Sequence, residues 1–153
     1  MSTLYERDFY TWTQKQAEAL RRLNDRGDVD VEHVAEAIED LGREQRHAVA
    51  GYLTRILIHL LKLEYAPAEP PRRGWMVEVE TWRVDLAIRL QENPGLVPHL
   101  AAIFADAWPP ALKKTSIALR EDGIDLGSLP KSPLFTLDQA RAEGWFPERR
   151  DRG

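Results

Sequence analysis

Cysteine is absent from the 153 residues, which removes disulfides, thiol nucleophiles and every thiolate metal site at once. Long apolar runs are missing too. The longest, Ile56 to Leu63, is interrupted by His59 and Lys62 and falls far short of the ~20 residues that span a bilayer. The opening Met1-Ser2-Thr3-Leu4-Tyr5-Glu6-Arg7-Asp8 has neither the basic nor the apolar region of a secretory leader, so a soluble, cytoplasmic chain with no membrane partner is expected. No large excess of either charge exists. The 21 Lys and Arg stand against 25 Asp and Glu, a net charge of −4, and binding to nucleic acid through phosphate attraction is not expected. Ser2, Ser116, Ser128 and Ser132 have no Gly-x-Ser-x-Gly elbow, and no phosphate loop or dinucleotide fingerprint occurs. Arg43 and His47, like Arg55 and His59, have only three residues between them, short of the Arg-x4–6-His element of helical ribonucleases. No cofactor is implied.

What is present is helical. Apolar residues recur at steps of three and four almost throughout, and strict alternation is nearly absent. The first segment, Leu4 to Arg26, places Tyr5, Phe9, Trp12, Gln16, Leu20 and Leu23 on one stripe. Thr3 and Glu6 suit a capping box at its start. The second begins after Asp30 and runs to Tyr65, with Val34, Ile38, Leu41, Ala48, Tyr52, Ile56, His59 and Leu63 near one face. From Leu53 onward it is apolar around most of its circumference, the pattern of a buried helix. Thirty-five residues at 1.5 Å each reach ~52 Å, more than the ~40 Å across a compact chain of this length, so a bend or break at Gly42 or Gly51 is expected.

Prolines 67, 70 and 71 and the arginines after them mark residues 66–74 as a linker. A third helix, Trp75 to Glu92, aligns Trp75, Val79, Trp82, Leu86 and Leu90. A fourth begins near Leu96 or Val97 and carries Leu100, Ile103, Phe104, Ala107 and Trp108 inward, with a kink or restart at Pro109-Pro110. Residues 124–153 read as mostly loop with a short helix from about Leu137 to Glu143. The expected architecture is a single all-α domain over residues 1–153, an antiparallel bundle of four main helices plus a short C-terminal one.

Few constellations carry chemistry. His33, Glu36, Glu39 and Asp40 share helical spacing, so Glu36 and Glu39, with His59, are the metal-ligand candidates, although a solvated helical face of alternating charge is the simpler account of the run. Glu39 and His59 lie ~30 Å apart on an unbroken helix and meet only if the chain folds back at Gly42 or Gly51. His59 can instead meet Asp8, Glu78 or Asp85, as a core histidine bonded to a carboxylate or as a catalytic base; the catalytic candidates are therefore His59, Asp8 and Glu78. Asp8 beside an aromatic stripe needs a partner, and Arg43 or Arg46 can supply it. Trp12, Trp82 and Trp108 fall on inward stripes. Trp75 and Trp145, with Arg72 and Arg73, are interface candidates; Arg72-Arg73-Gly74-Trp75 also mixes cation and ring as single-stranded nucleic-acid sites do.

The sequence resembles a known family. Tyr5-Glu6-Arg7-Asp8-Phe9-Tyr10-Thr11-Trp12-Thr13-Gln14, with Gln16-Ala17, looks like the opening signature of the bacterial "domain of unknown function 29" proteins. Glu36-Ala37-Ile38-Glu39-Asp40-Leu41-Gly42-Arg43 resembles the second, Leu57-Ile58-His59-Leu60-Leu61-Lys62-Leu63 the third, and Ser132-Pro133-Leu134-Phe135-Thr136-Leu137-Asp138 with Phe146-Pro147 the closing pattern. Members commonly carry a second acidic residue at the place of Ala37 and Leu-Leu at that of Ala140-Arg141. The resemblance implies a small all-helical protein of cyanobacteria and proteobacteria with no established activity.

The leading functional expectation is a non-enzymatic interaction protein, docking a protein partner or a second copy through its aromatic-rimmed surface. The alternative is a metal-dependent or hydrolytic enzyme using His59 and inward carboxylates. A weaker one is a nucleic-acid or toxin–antitoxin accessory role through the basic arm and tail.

Overall fold

Thr3 opens the first helix with the expected capping box: its Oγ1 accepts from Glu6 N at 3.3 Å while Glu6 Oε2 accepts from Thr3 N at 3.2 Å. That helix, α1 (Leu4–Arg7), does not continue toward Arg26. Asp8 leaves helical geometry at φ −156°, ψ 84° and caps a new helix, α2 (Phe9–Arg22). Its Oδ1 accepts from Thr11 N at 3.2 Å and its Oδ2 from Thr11 Oγ1 at 2.7 Å. A short acidic side chain offers nearby backbone donors an acceptor, and here that local competition interrupts an otherwise helical run.

The remaining elements are α3 (Val31–Tyr65), α4 (Pro70–Glu92), a 3₁₀ turn (Pro94–His99), α5 (Leu100–Glu121) and α6 (Leu137–Arg141). The structure, a computed structural model, describes residues 1–23, 27–66, 70–125 and 132–150. Arg26, Pro67 and Ser128, which entered the sequence reading, lie outside these. The chain is all-α, with four long helices and a short C-terminal one, and no strand occurs among the described residues. No helix among the described residues is long and apolar enough to cross a membrane.

At three places where the sequence invites an interruption, the helix has no break. α3 is helical without a break through Gly42 and Gly51. Pro70 and Pro71 belong to α4 rather than to a linker, because proline's fixed φ and missing N–H suit the first turn of a helix; Arg72, Arg73 and Gly74 are therefore helical. Pro109 and Pro110 lie inside an unbroken α5. Both are exposed, as are Ala105 and Asp106 one turn earlier, so the carbonyls deprived of a donor face water. The fourth helix starts at Leu100, and the turn of Pro94–His99 occupies the place expected for its first residues.

The chain divides into two compact units, Met1–Val49 with Ile88–Leu100, and Ala50–Ala87 with Ala101–Gly153. In the first, α2 crosses α3 closely. A methyl group on Gly42 would overlap Thr13 Oγ1, and Thr13 and Ala17 are the buried residues of α2. Small residues in the seam push large ones to its rim, which corrects the expected inward stripe. Tyr5, Phe9 and Trp12 pack on one another, with centroids 5.6 and 4.8 Å from Tyr5, yet Tyr5 is 53% and Leu23 60% exposed. Val34 and Leu41 of α3 are exposed as well. Gln45 joins the segments: its Oε1 accepts from Arg89 Nη1 at 3.0 Å and Asn93 Nδ2 at 3.2 Å.

The second unit holds the apolar core that the sequence indicates. Leu53, Ile56, Leu57, Leu60, Leu61 and Leu63 of α3 are fully buried, with Val79 and Leu86 of α4 and Ile103, Phe104, Ala107, Trp108, Ala111 and Leu119 of α5. Of the three tryptophans expected inside, only Trp108 is buried; Trp12 and Trp82 are half-buried. Their long rings reach the edge of the packed layer and keep one side in water.

Candidate functional site

Within the second unit the end of α3 and the start of α4 run antiparallel, which brings His59 against Glu78 and Leu63 against Arg72. His59 Nε2 lies 2.5 Å from Glu78 Oε2. The imidazole is 13% exposed and the carboxylate 54%. Trp82 stands edge-on to the ring at 4.7 Å and Trp75 at 6.4 Å. Burial lowers the His59 pKa below its ordinary 6.5; the bond to Glu78 opposes the shift, and the charge of Lys62 adds to it. The neutral ring donates Nε2–H to the carboxylate. Nδ1 is buried and unpaired: the Arg55 carbonyl lies near enough to favour the charged ring slightly but outside hydrogen-bond geometry.

A lowered histidine pKa has a definite sign in stability. Below pH 6.5 the unfolded chain takes up a proton that the folded chain resists, so the His59 contribution is fully present above 6.5 and is lost as pH falls below it. His33 acts oppositely, because pairing with Asp30 raises its pKa. Urea unfolding of the wild type and His59→Gln at pH 5.5 and 7.5 isolates the first effect, since His33 is common to both. The wild type is expected to lose more stability than the variant on acidification, and equal losses would contradict the assignment.

Outward from this pair, α4 forms the floor of an open groove of about 760 Å³ lined by Arg72, Arg73, Met76, Val77, Glu80, Thr81, Val84 and Phe146. Residues 73, 77, 80, 81 and 84 share one helix face. Val77 is 61% and Val84 57% exposed. The Phe146 wall is held in place by Arg83, whose guanidinium lies 5.1 Å from the ring centroid. Arg83 is itself 6% exposed. Its Nε donates to Ala140 O at 2.9 Å and its Nη2 to Gln139 O at 3.1 Å and Trp145 O at 2.8 Å. Nη1 donates to Glu80 Oε1 at 2.5 Å, and Glu80 also accepts from Gly144 N at 3.2 Å. One cation thus ties α6 and residues 144–146 to α4.

The sequence candidates separate. His59 and Glu78 come together; Asp8 is the cap of α2 and is bonded to Thr11, not to Arg43 or Arg46. Asp85 is half-buried and makes no hydrogen bond or ion pair among the described residues. Glu36 is exposed, Glu39 pairs with Arg21, and the fold-back needed to bring Glu39 to His59 does not occur. No group of three or more His, Asp or Glu able to hold a metal ion is found among the described residues. Arg72 donates to Leu63 O at 2.5 Å, while Arg73 is exposed and unpaired among the described residues. Trp75 packs on Ala66, Leu119 and Ile124 beneath Lys62, and Trp145 stacks edge-on against Phe135 at 5.9 Å. Met76, Val77, Val84 and Phe146 were missed. Their signal was legible: Val77 and Val84, seven apart, form a second apolar series beside the Trp75–Val79–Trp82 stripe.

The family model for the domain of unknown function DUF29 matches residues 4–146. Among solved structures, the chain is similar to an alpha-helical protein of unknown function from Rhodospirillum rubrum, with 27% identity and a TM-score of 0.76 over 95% of this chain and 93% of that one. No curated protein matches.

Proposed function

This chain belongs to the domain of unknown function DUF29 family, and we propose that it is a protein-interaction module holding an acidic amphipathic helix in the groove along α4. The observation that carries this reading is the second apolar face of α4. Val79 and Leu86 occupy its core side, while Val77 and Val84 are more than half exposed opposite them. An exposed apolar strip with charge at its rim suits the i, i+3, i+4, i+7 anchors of an incoming helix. Arg72 and Arg73 at one end favour an acidic occupant, and rim charges of this kind set orientation and association rate.

The chain itself carries such chemistry. Val34 is 39% and Leu41 44% exposed on α3, with Glu36, Asp40 and Glu44 exposed around them. A peptide of residues 31–47 is therefore the probe. Its addition to the ¹⁵N-labelled protein is expected to shift amide resonances at 73–84 and at Phe146, and Val84→Glu to weaken binding by about tenfold, or ~1.4 kcal/mol. No shift along this face at saturating peptide would overturn the proposal. Light scattering reads whether a second copy supplies the helix: a mass above 17.6 kDa that rises with concentration supports the homodimer.

One observation favours a second reading, acid–base chemistry at His59: a nearly buried imidazole, neutral and oriented by a carboxylate, has the form of a general base. The His59→Gln variant separates the two readings, because a catalytic role requires loss of turnover with peptide binding intact. The nucleic-acid reading draws no support from Trp75, whose ring is engaged by Lys62 and His59 rather than offered to a base.

A further inference from the structure

A small polar pocket of about 150 Å³ in the first unit is lined by Tyr10, Gln14, Glu39, Arg43 and Arg46. We infer that it is a binding site for a single carboxylate group, gripped by the Arg46 guanidinium with help from Tyr10 and Gln14.

Each charged side chain at the pocket has an ion-pair partner except one. Glu39 is paired with Arg21, which also bonds Glu32 at 3.1 Å. Asp40 is paired with Arg43. Arg46 is half-buried and has neither an ion pair nor a hydrogen bond among the described residues. A guanidinium partly withdrawn from water gains most from an acceptor that takes two parallel N–H bonds, and a carboxylate has that geometry.

Two further donors line the same space without partners. Tyr10 touches His99 through its ring, at 6.0 Å, and its hydroxyl makes no hydrogen bond among the described residues. Gln14 lies beside Gly42, where its Nε2 would be 3.2 Å from an added Cβ, and its amide makes no recorded bond. Arg46 and Tyr10, both half-buried, and the exposed Gln14 thus offer three donors to one acceptor in the pocket. The Glu39 carboxylate limits the occupant to a single negative charge, since a dianion would be repelled by it. The pocket admits one carboxyl group with a short stem, as in acetate or an acidic side chain. It shares no lining residue with the groove and does not depend on the proposed function.

The test uses the whole protein with sodium acetate, inorganic phosphate and chloride at equal ionic strength. Acetate is expected to raise the melting temperature above the chloride control, because a ligand that binds only the folded state stabilises it, and to shift the Gln14 side-chain amide resonances. Arg46→Gln should abolish both effects. Tyr10→Phe, which removes one hydroxyl, should weaken acetate binding by about three- to tenfold, the size of one hydrogen bond. A response to acetate no larger than to chloride, or one unchanged in Arg46→Gln, would overturn the site. Tighter binding of phosphate than of acetate would overturn its assignment to carboxylates.

Discussion

Arg83→Met is expected to lower the unfolding free energy by about 3–5 kcal/mol, the range for breaking a buried charged network. The buried guanidinium satisfies three carbonyls and one carboxylate. Methionine fills similar space but leaves the carbonyls of Ala140 and Trp145 without donors, that of Gln139 with only the Ala142 N–H at 3.3 Å, and Glu80 without its cation. Arg83→Lys should recover little, because an ammonium lacks the planar fork that reaches several acceptors at once. Urea unfolding gives the magnitude, and amide exchange at residues 137–146 should accelerate before global unfolding. If either variant fails to fold, Glu80→Gln gives a milder reading near ~1 kcal/mol, one hydrogen bond weakened rather than a charge removed. A loss below ~1 kcal/mol for Arg83→Met would show that the tail is held by Phe135 and Ala140 alone.

Gly42→Ala should cost about 1–3 kcal/mol, the range for overpacking a tight contact, even though alanine is the better helix former. The added methyl overlaps Thr13 Oγ1 and stands 3.3 Å from Thr13 Cβ. Thr13 cannot swing away freely, since its hydroxyl donates to Tyr10 O at 2.6 Å. Adding Thr13→Ala removes the overlapping oxygen, so the double variant should regain roughly half of the loss, a coupling that a double-mutant cycle measures. Gly51→Ala is the control: nothing lies within 4 Å of the new carbon, and the substitution should be neutral or stabilising. Additive effects of Gly42→Ala and Thr13→Ala would mean that α2 does not meet α3 at this point.

The same two glycines show where sequence reading succeeds and where it stops. Both interrupt an apolar helix and invite a hinge, yet only the packing distinguishes them: one marks a close helix crossing, the other open space. The second half of α3 was legible because apolar residues surround it, and burial follows from composition alone. Its first half was not, since a seam of Ala35, Gly42 and Val49 carries little hydrophobic signal and leaves larger neighbours at the rim. Asp8 was read as half of an ion pair because a carboxylate beside aromatic residues invites a cation. Nothing in one dimension announces that Thr11, three residues on, would take it as a cap. Gly95 confirms the economy of that corner, for a side chain there would overlap Thr11 Oγ1 and stand 2.9 Å from Asp8 Oδ2.

The candidate site divides the same way. His59 with Glu78 was among the pairings open from spacing, and helix geometry chose between them. Arg83 escaped notice because a lone arginine in an amphipathic helix normally points to solvent. Three of its four partners are backbone oxygens more than fifty residues ahead, and backbone oxygens leave no trace in composition.

An anchor that grips peptide oxygens is indifferent to which side chains the gripped segment bears. Arg141, whose side chain is exposed, can therefore be replaced without loosening the clasp. Phe135, Ala140 and Phe146 are also held by packing, so this latitude belongs to the exposed positions of the segment, provided that its backbone path past α4 is kept.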